Sequence, residues 1–292
     1  MISVLIPVKN NNALELVTEL HRQLENIAIP SEIIIYNDVS DASFSEWFNE
    51  ARKLPLVKIL NGEVQKGAMG ARIELANAAK YNYLLYLDSD NKIINDKFIQ
   101  NYLQHSKAQW DVLLGGTLFP ETETDCSLML SWKYRTQRET KKGLLITRNL
   151  MIKKTTFLSV SFPEELLQQY GHDDTWLGIQ LHKKRAVIKT INNPVYNYGL
   201  ENFENFIAKA KEAMNNLFLM KNFEAVANIS SQVKLFRAAN IFKQTGLNVF
   251  FQLYYKLFRK KIEKNLASCN PSLKYFDYYR LNYFLSLKAG KP

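Results

Sequence analysis

Residues 83–90 read Tyr83-Leu84-Leu85-Tyr86-Leu87-Asp88-Ser89-Asp90. A short apolar run bounded by polar residues is the pattern of a strand buried on both faces. This one ends by delivering two carboxylates, one residue apart, onto a loop. Such a pair can hold a hard divalent cation through oxygen ligands, with positions left open for substrate phosphates. The cation can then serve as a Lewis acid toward a diphosphate leaving group. The other reading is a solvated turn, since Asp and Ser are common turn formers.

Similar runs flank this stretch at Ile2–Val8, Glu32–Asp38, Leu56–Leu60 and Asp111–Gly115. Between them the apolar spacing is helical: Leu14, Val17, Leu20, His21 and Leu24 line one face, and Phe44, Trp47, Phe48 and Ala51 another. Ala71, Leu75, Ala78 and Ala79 give a small-residue face able to pack closely on a sheet. Strand and helix alternating at this pitch predict an α/β layer with a mostly parallel sheet. Ligands bind beyond the carboxyl ends of such strands, which directs attention to what stands there. The first strand ends in Pro7-Val8-Lys9-Asn10. After the second comes Asp38, able to accept hydrogen bonds from a base or ribose edge, or alternatively to cap a helix or turn. Lys66-Gly67-Ala68-Met69-Gly70-Ala71-Arg72 opens a helix whose N-terminus and basic residues suit a diphosphate; a plain loop-to-helix transition explains it equally. Beyond Gly116, residues 144–153, Val187–Ile191 and Pro194–Tyr198 read as strands, and the segment from Phe162 to Lys184 ends in a helix. Within that segment lies Gly171-His172-Asp173-Asp174-Thr175-Trp176. Adjacent carboxylates raise each other's pKa, and one of them can act as general base toward an acceptor hydroxyl; a capped helix start is the alternative.

The 292 residues are 47% hydrophobic and 23% charged, which excludes a disordered or fibrous chain and suggests about two domains. Cys126 and Cys269 do not sit in a CxxC pair, so two reduced thiols in a cytoplasmic protein are expected. There is no signal-peptide pattern at the N-terminus and no run of about 18 apolar residues. The net charge of +10 is uneven: residues 1–200 hold 23 Lys and Arg against 22 Asp and Glu, residues 201–292 hold 15 against 6. That shift sets an expected boundary near residue 200, between domains 1–200 and 201–292, and gives the second a helical, basic character.

Taken in order, these segments resemble glycosyltransferase family 2. Ile2–Asn10 resembles its opening strand, Glu32–Asp41 its second, Gly67–Arg72 the stretch before its metal motif, Leu87–Asp90 its DxD, Arg148–Lys153 its acceptor-side strand, and Gly171–Leu177 the segment with its catalytic acidic pair. The resemblance implies a GT-A fold, a Rossmann-like, mostly parallel sheet flanked by helices, here followed by a C-terminal helical region. It implies a metal-assisted, inverting transfer of a sugar from a nucleoside diphosphate donor (UDP- or GDP-linked) to a hydroxyl of a saccharide or lipid-linked acceptor, in surface polysaccharide or glycolipid synthesis. By the same resemblance Pro7, Val8 and Asp38 would contact the nucleoside, with Lys66, Arg72 and Asp88 also on the donor. Asp88 and Asp90 would hold Mn or Mg, Asp174 would be the base and Asp173 its neighbour. Asn37, Val39 and Ile73 depart from the family pattern. Asn197 stands where relatives carry a late metal-binding His, and His172 is a candidate to complete the metal set.

Two other readings remain open. One is a nucleotide-sugar-binding protein without catalysis, motivated by Asn37 and Asn197. The other is a basic nucleic-acid-binding protein, although the tail aromatics are not spaced as a stacking platform. Residues 247–266 combine apolar positions at helical spacing (Leu247, Phe250, Phe251, Tyr254, Leu257, Phe258, Ile262) with Lys256, Arg259, Lys260 and Lys264. This is the composition of a helix lying on an anionic membrane, hence peripheral on its inner face, or of a helix packed on the protein with a solvated basic side.

Overall fold

The apolar runs assemble into a seven-stranded sheet. The computed structural model describes residues 1–106, 108–123, 125–140, 145–167, 170–223 and 233–287. β1 (Ile2–Val8), β2 (Ser31–Asn37), β3 (Val57–Asn61) and β4 (Tyr83–Leu87) lie side by side, all parallel, in the order β3-β2-β1-β4. Beyond β4 the sheet continues with β8 (Asn149–Lys153), β6 (Val112–Leu114) and β9 (Ile188–Thr190); β8 is antiparallel to both its neighbours and β9 parallel to β6. This is the expected Rossmann-like, mostly parallel arrangement. Of the segment 144–153 only Asn149–Lys153 is strand, and Leu144 lies outside the described residues.

The sheet is covered on both sides, which explains the near-continuous apolar runs. Val4, Ile6, Ile33, Ile35, Leu85 and Leu87 join one core with Val17, Leu20 and Leu24 of the helix Leu14–Ile27, together with Trp47 and Phe48. The alternate residues Leu5, Ile34, Leu84 and Tyr86 are equally buried, and the helix Gly67–Ala78 packs on β1 and β2 with its small residues. Each such aliphatic side chain contributes about 1.5–3 kcal/mol by leaving water. A second sheet of three short strands, β5 (Asn91–Lys92), β10 (Val195–Asn197) and β7 (Thr117–Leu118), was not expected as a sheet. Two-residue strands carry no periodicity to read.

From β1 the chain moves to β2 and β3, then returns through the helix Gly67–Ala78 to β4 on the other side of β1. The direction of winding therefore reverses between β1 and β4, the kind of position where α/β sheets open a ligand crevice.

The chain forms two compact units. The first comprises Met1–Pro120, Glu139–Pro163 and Gln180–Gly199, and holds the sheets. The second comprises Glu121–Arg138, Glu164–Ile179 and Leu200–Pro292. Asp173 and Asp174 thus belong to the second unit, and the composition shift near residue 200 coincides with the chain's last entry into it. This unit is helical: Phe203–Met220, Lys234–Gln244, Asn248–Leu266 and Leu273–Ser286 are its main elements. Leu130, Phe206, Tyr255, Ile262, Leu266, Leu273, Phe276 and Tyr279 form its core. Asn202 caps the first of these helices, its side-chain oxygen accepting from the Asn205 amide at 2.9 Å. Among the described residues no helix is long and apolar enough to cross a membrane.

One expectation is corrected here. Cys126 and Cys269 are not free thiols but form a disulfide, with their Cα atoms 4.3 Å apart. Their sequence separation of 143 hid the pairing, because only the fold of the second unit brings the loop before Met129 to the turn after Leu266.

Candidate active site

Asp88 is the first residue past β4, and its environment is built by register. β8 runs antiparallel to β4 with Asn149 opposite Leu87, so Arg148, one residue before β8, comes level with Asp88. The Asp88 amide donates to the Arg148 carbonyl at 3.1 Å. The Arg148 guanidinium Nε lies 3.5 Å from Asp88 Oδ2, and its Nη1 donates to Glu139 Oε2 at 3.0 Å. On the other side Arg72, deeply buried in the helix Gly67–Ala78, donates from Nη2 to Asp88 Oδ1. The Arg72 carbonyl is itself fixed by the Tyr86 hydroxyl at 3.0 Å. Burial tends to discharge Arg148, but the negative charges of Glu139, Asp88 and Asp90 outweigh it and hold the group above the usual arginine range. The Nε–H groups of both arginines are buried without a hydrogen-bond partner. Each such donor carries a desolvation cost that an incoming anion would relieve.

Asp90 is the turn residue just before β5 of the short sheet. Its Oδ1 accepts from Asn197 Nδ2 at 2.7 Å, and its backbone carbonyl accepts from the Tyr198 amide at 3.2 Å. Fully buried Asn197 also donates to Asn91 Oδ1 at 3.0 Å and accepts from the Gly199 amide at 3.1 Å. Asn197 therefore reaches Asp90, as a hydrogen-bond partner. Glu139 is engaged by Arg148, so the acidic oxygens that can be offered to a cation come from the pair Asp88 and Asp90. Two carboxylates suit a hard divalent cation that takes its remaining ligands from phosphate oxygens. Among the described residues no group of three or more His, Cys, Asp or Glu forms a metal cage.

The other residues expected on the donor side end β1, follow β2 or open the helix Gly67–Ala78. Past β1, Asn11 Nδ2 donates to Ser89 Oγ, past β4, at 3.1 Å. Val8 is buried, and its carbonyl accepts from the Asp38 amide at 2.8 Å; Pro7 is half-buried opposite Tyr36. Asp38 is also buried, and its two carboxylate oxygens accept from the amides of Lys66 (2.7 Å) and Gly67 (3.0 Å). It thus supplies, from another element, the cap that the helix Gly67–Ala78 lacks locally. Lys66 turns its ammonium to Glu74. A cavity of about 560 Å³ opens beyond β6, lined among others by Gly115, Gly116, Glu139, Asn149 and Thr190. Its size is that of a small-ligand pocket, and Glu139 connects its wall to Arg148 and so to Asp88.

In the second unit, Asp173 and Asp174 form the first turn of the helix Asp173–Lys183, where the helix dipole favours negative charge. Gly171 and His172 before them both have positive φ, 87° and 64°. Asn216 holds this turn, donating from Nδ2 to the carbonyls of Gly171 (2.6 Å) and Leu166 (3.2 Å). His172 Nδ1 meets Thr175 Oγ1 at 3.1 Å. Burial, aided by the charge on Arg280, lowers the pKa of His172 to about 4, so the ring is neutral at pH 7.

Glu139, Asn91 and Asn216 were not read from the sequence, and Arg148 only as the first residue of the stretch resembling an acceptor-side strand. Arg148 left one trace, a lone arginine at the mouth of an apolar strand. The others needed the register of β8 and β10 or the packing of the helix Phe203–Met220.

Comparison with known proteins bears on the fold and the family. Over 144 residues, 44% of its length, the chain is 30% identical to a poly(ribitol-phosphate) beta-glucosyltransferase of Bacillus spizizenii, and covers 22% of that protein. Among solved structures it matches S. aureus TarS 1–349 with a TM-score of 0.50 and 18% identity, over 96% of this chain and 90% of that one. It matches the mannosyltransferase PcManGT of Pyrobaculum calidifontis, solved with GDP-Man and Mn2+, with a TM-score of 0.53 and 12% identity, over 75% and 63% of the two chains. At these identities the structural matches establish the GT-A fold. The sequence profile of glycosyl transferase family 2 covers residues 3–159, more than half of the chain, and the chain belongs to that family.

Proposed function

We propose that the chain is an inverting glycosyltransferase, moving a sugar from a nucleoside diphosphate donor to an acceptor hydroxyl in the synthesis of a surface polysaccharide or glycolipid. The observation that carries this reading is the pair Asp88 and Asp90, delivered at the end of β4 beside the winding reversal and backed by buried Arg72 and Arg148. Asp88 and Asp90 would hold Mn or Mg; PcManGT, whose fold this chain shares, was solved in complex with GDP-Man and Mn2+. That ion would supply positive charge to the departing diphosphate. Arg72 and Arg148 steer Asp88 and add fixed positive charge of their own. Asp174 takes the proton of the acceptor hydroxyl; the oxygen attacks the anomeric carbon, and the bond from that carbon to the diphosphate oxygen breaks on the opposite side. The name of the Bacillus relative favours a polyol-phosphate acceptor.

Asp88→Asn and Asp174→Asn test the reading in an assay of donor turnover and transfer. Each should lower transfer by about a hundredfold or more, and in wild type a chelator should do the same. Donor binding seen by calorimetry, with neither transfer nor hydrolysis across Mn, Mg and a panel of acceptors, would favour the non-catalytic reading. The ties of Asp90 to Asn197 give that reading its one structural motive.

A further inference from the structure

The helix Asn248–Leu266 buries one side and leaves the other bare. Tyr255, Ile262 and Leu266 point into the core of the helical unit, against Leu273, Phe276 and Tyr279. The opposite face follows the spacing 249, 253, 257, 260, 264. Its first half is apolar: Val249, Phe250, Leu253 and Leu257 are 64%, 70%, 55% and 73% exposed. Its second half is basic. Lys260, Lys261 and Lys264 are exposed there, with Lys256 at the edge, and none has an acidic partner among the described residues. The one acidic residue of this helix, Glu263, is taken by Arg259 at 2.8 Å. The apolar residues are therefore not one stripe with a basic side opposite, as the spacing suggested. They divide between the core and the solvent, and the solvent share runs directly into the lysines.

We propose that this face docks on an anionic lipid bilayer, with Val249, Phe250, Leu253 and Leu257 entering the headgroup boundary and the lysines meeting the lipid charge. Four large apolar side chains laid bare along a helix are unusual on a soluble surface, and an interfacial helix needs both halves of this pattern. A second copy of the chain fits less well. A parallel two-fold contact through this face would set lysines against lysines, and an antiparallel one would set each copy's lysines beside the other's apolar residues, so neither gives the lysines an acidic partner; the one acidic residue of the helix, Glu263, is already held by Arg259. A soluble polyanion fits less well too, since it would satisfy the lysines and leave the apolar residues in water. The inference is independent of the enzymatic reading, because none of these residues belongs to the candidate active site.

Flotation of the full chain with vesicles tests it. One set is phosphatidylcholine alone, the other equimolar phosphatidylcholine and phosphatidylglycerol, each at low and high salt. The protein should float with the anionic vesicles, weakly with the neutral ones, and less at high salt. Each lysine near the surface contributes about a fivefold factor in partitioning, so Lys260→Glu and Lys264→Glu together should lower binding by more than tenfold. Leu257→Glu should lower it by about tenfold as well. Both variants change exposed side chains, so circular dichroism melts should match wild type. Equal binding to both vesicle types overturns the proposal. So does binding that Leu257→Glu leaves untouched and inorganic polyphosphate displaces, which would mark a polyanion site. So does a dimer in sedimentation equilibrium that Leu257→Glu dissociates while no vesicle is bound.

Discussion

Asp88 is held from two sides, and its neighbours therefore respond unequally to substitution. Removing Arg148 leaves Asp88 and Glu139 facing one another with one cation fewer. Breaking a buried pair by deleting one partner costs several kcal/mol; here the carboxylates keep partial access to water, so a loss of about 2 kcal/mol is expected for Arg148→Met. The urea midpoint measures it. In the proposed reaction the same variant should lose about a hundredfold in transfer. Arg148→Lys should recover most of the stability and little of the rate, since an ammonium cannot reach Glu139 and Asp88 together as a planar fork does. Full recovery of rate by lysine would reduce Arg148 to a point charge. His172 carries a second prediction at this scale. Its folded pKa of about 4 lies below the ordinary 6.5, so between those values the unfolded chain binds the proton more readily. The stability contributed by the neutral ring is complete above about pH 6.5 and is lost as pH falls toward 4, by about 2–3 kcal/mol. Asn tolerates the left-handed backbone of this position, so His172→Asn is the comparison. Its urea midpoint should fall less than that of wild type between pH 7 and pH 4.5, and parallel slopes would refute the burial assigned to His172.

At the scale of elements, the short sheet beside Asp90 has one vulnerable point. A Cβ on Gly199 would collide with Asp90 Oδ2. The obstacle is the tip of a flexible side chain, so Gly199→Ala should fold with nearly wild-type stability while displacing the carboxylate. Thermal shift should report that Mn no longer stabilises the variant as it stabilises wild type; an unchanged shift would remove Asp90 from the metal set. Legibility in the sequence also varied by element. β1, β2 and β4 were plain because strands covered on both faces must be apolar throughout, and Asp88 was plain because it ends such a strand. The partners of Asp88 and Asp90 were not. Arg148 meets Asp88 through the antiparallel register of β8, and Asn197 meets Asp90 through a strand of three residues. Neither pairing leaves a periodic signal. In the helix Asn248–Leu266 the apolar residues occupy both faces, so spacing alone could not say which one is buried.

At the scale of the molecule, the helical unit is assembled from three separated stretches of chain, with the sheet unit's segments threaded between them. A unit built this way pays a large loop-closure entropy, because its pieces must be gathered across long intervals of sequence. The Cys126–Cys269 disulfide acts on that cost: it ties the first stretch, Glu121–Arg138, to the last, across 143 residues. Closing so long a loop in the unfolded chain is worth up to about 5 kcal/mol in the chain-entropy account, and about 3 kcal/mol is the usual yield. Reduction should therefore lower the thermal midpoint by roughly 5–10 °C, and Cys126→Ser should reproduce the loss without reductant. Hydrogen exchange locates the effect. Amides of Phe203–Met220 and Leu273–Ser286 should exchange faster after reduction, while those of β1, β2 and β4, which lie in the other unit and are held by their own ladder, should keep their protection. If both thiols can be alkylated after reduction with midpoint and exchange unchanged, the bridge contributes nothing to holding the unit together, and the helical core of Phe206, Ile262 and Phe276 must do so alone.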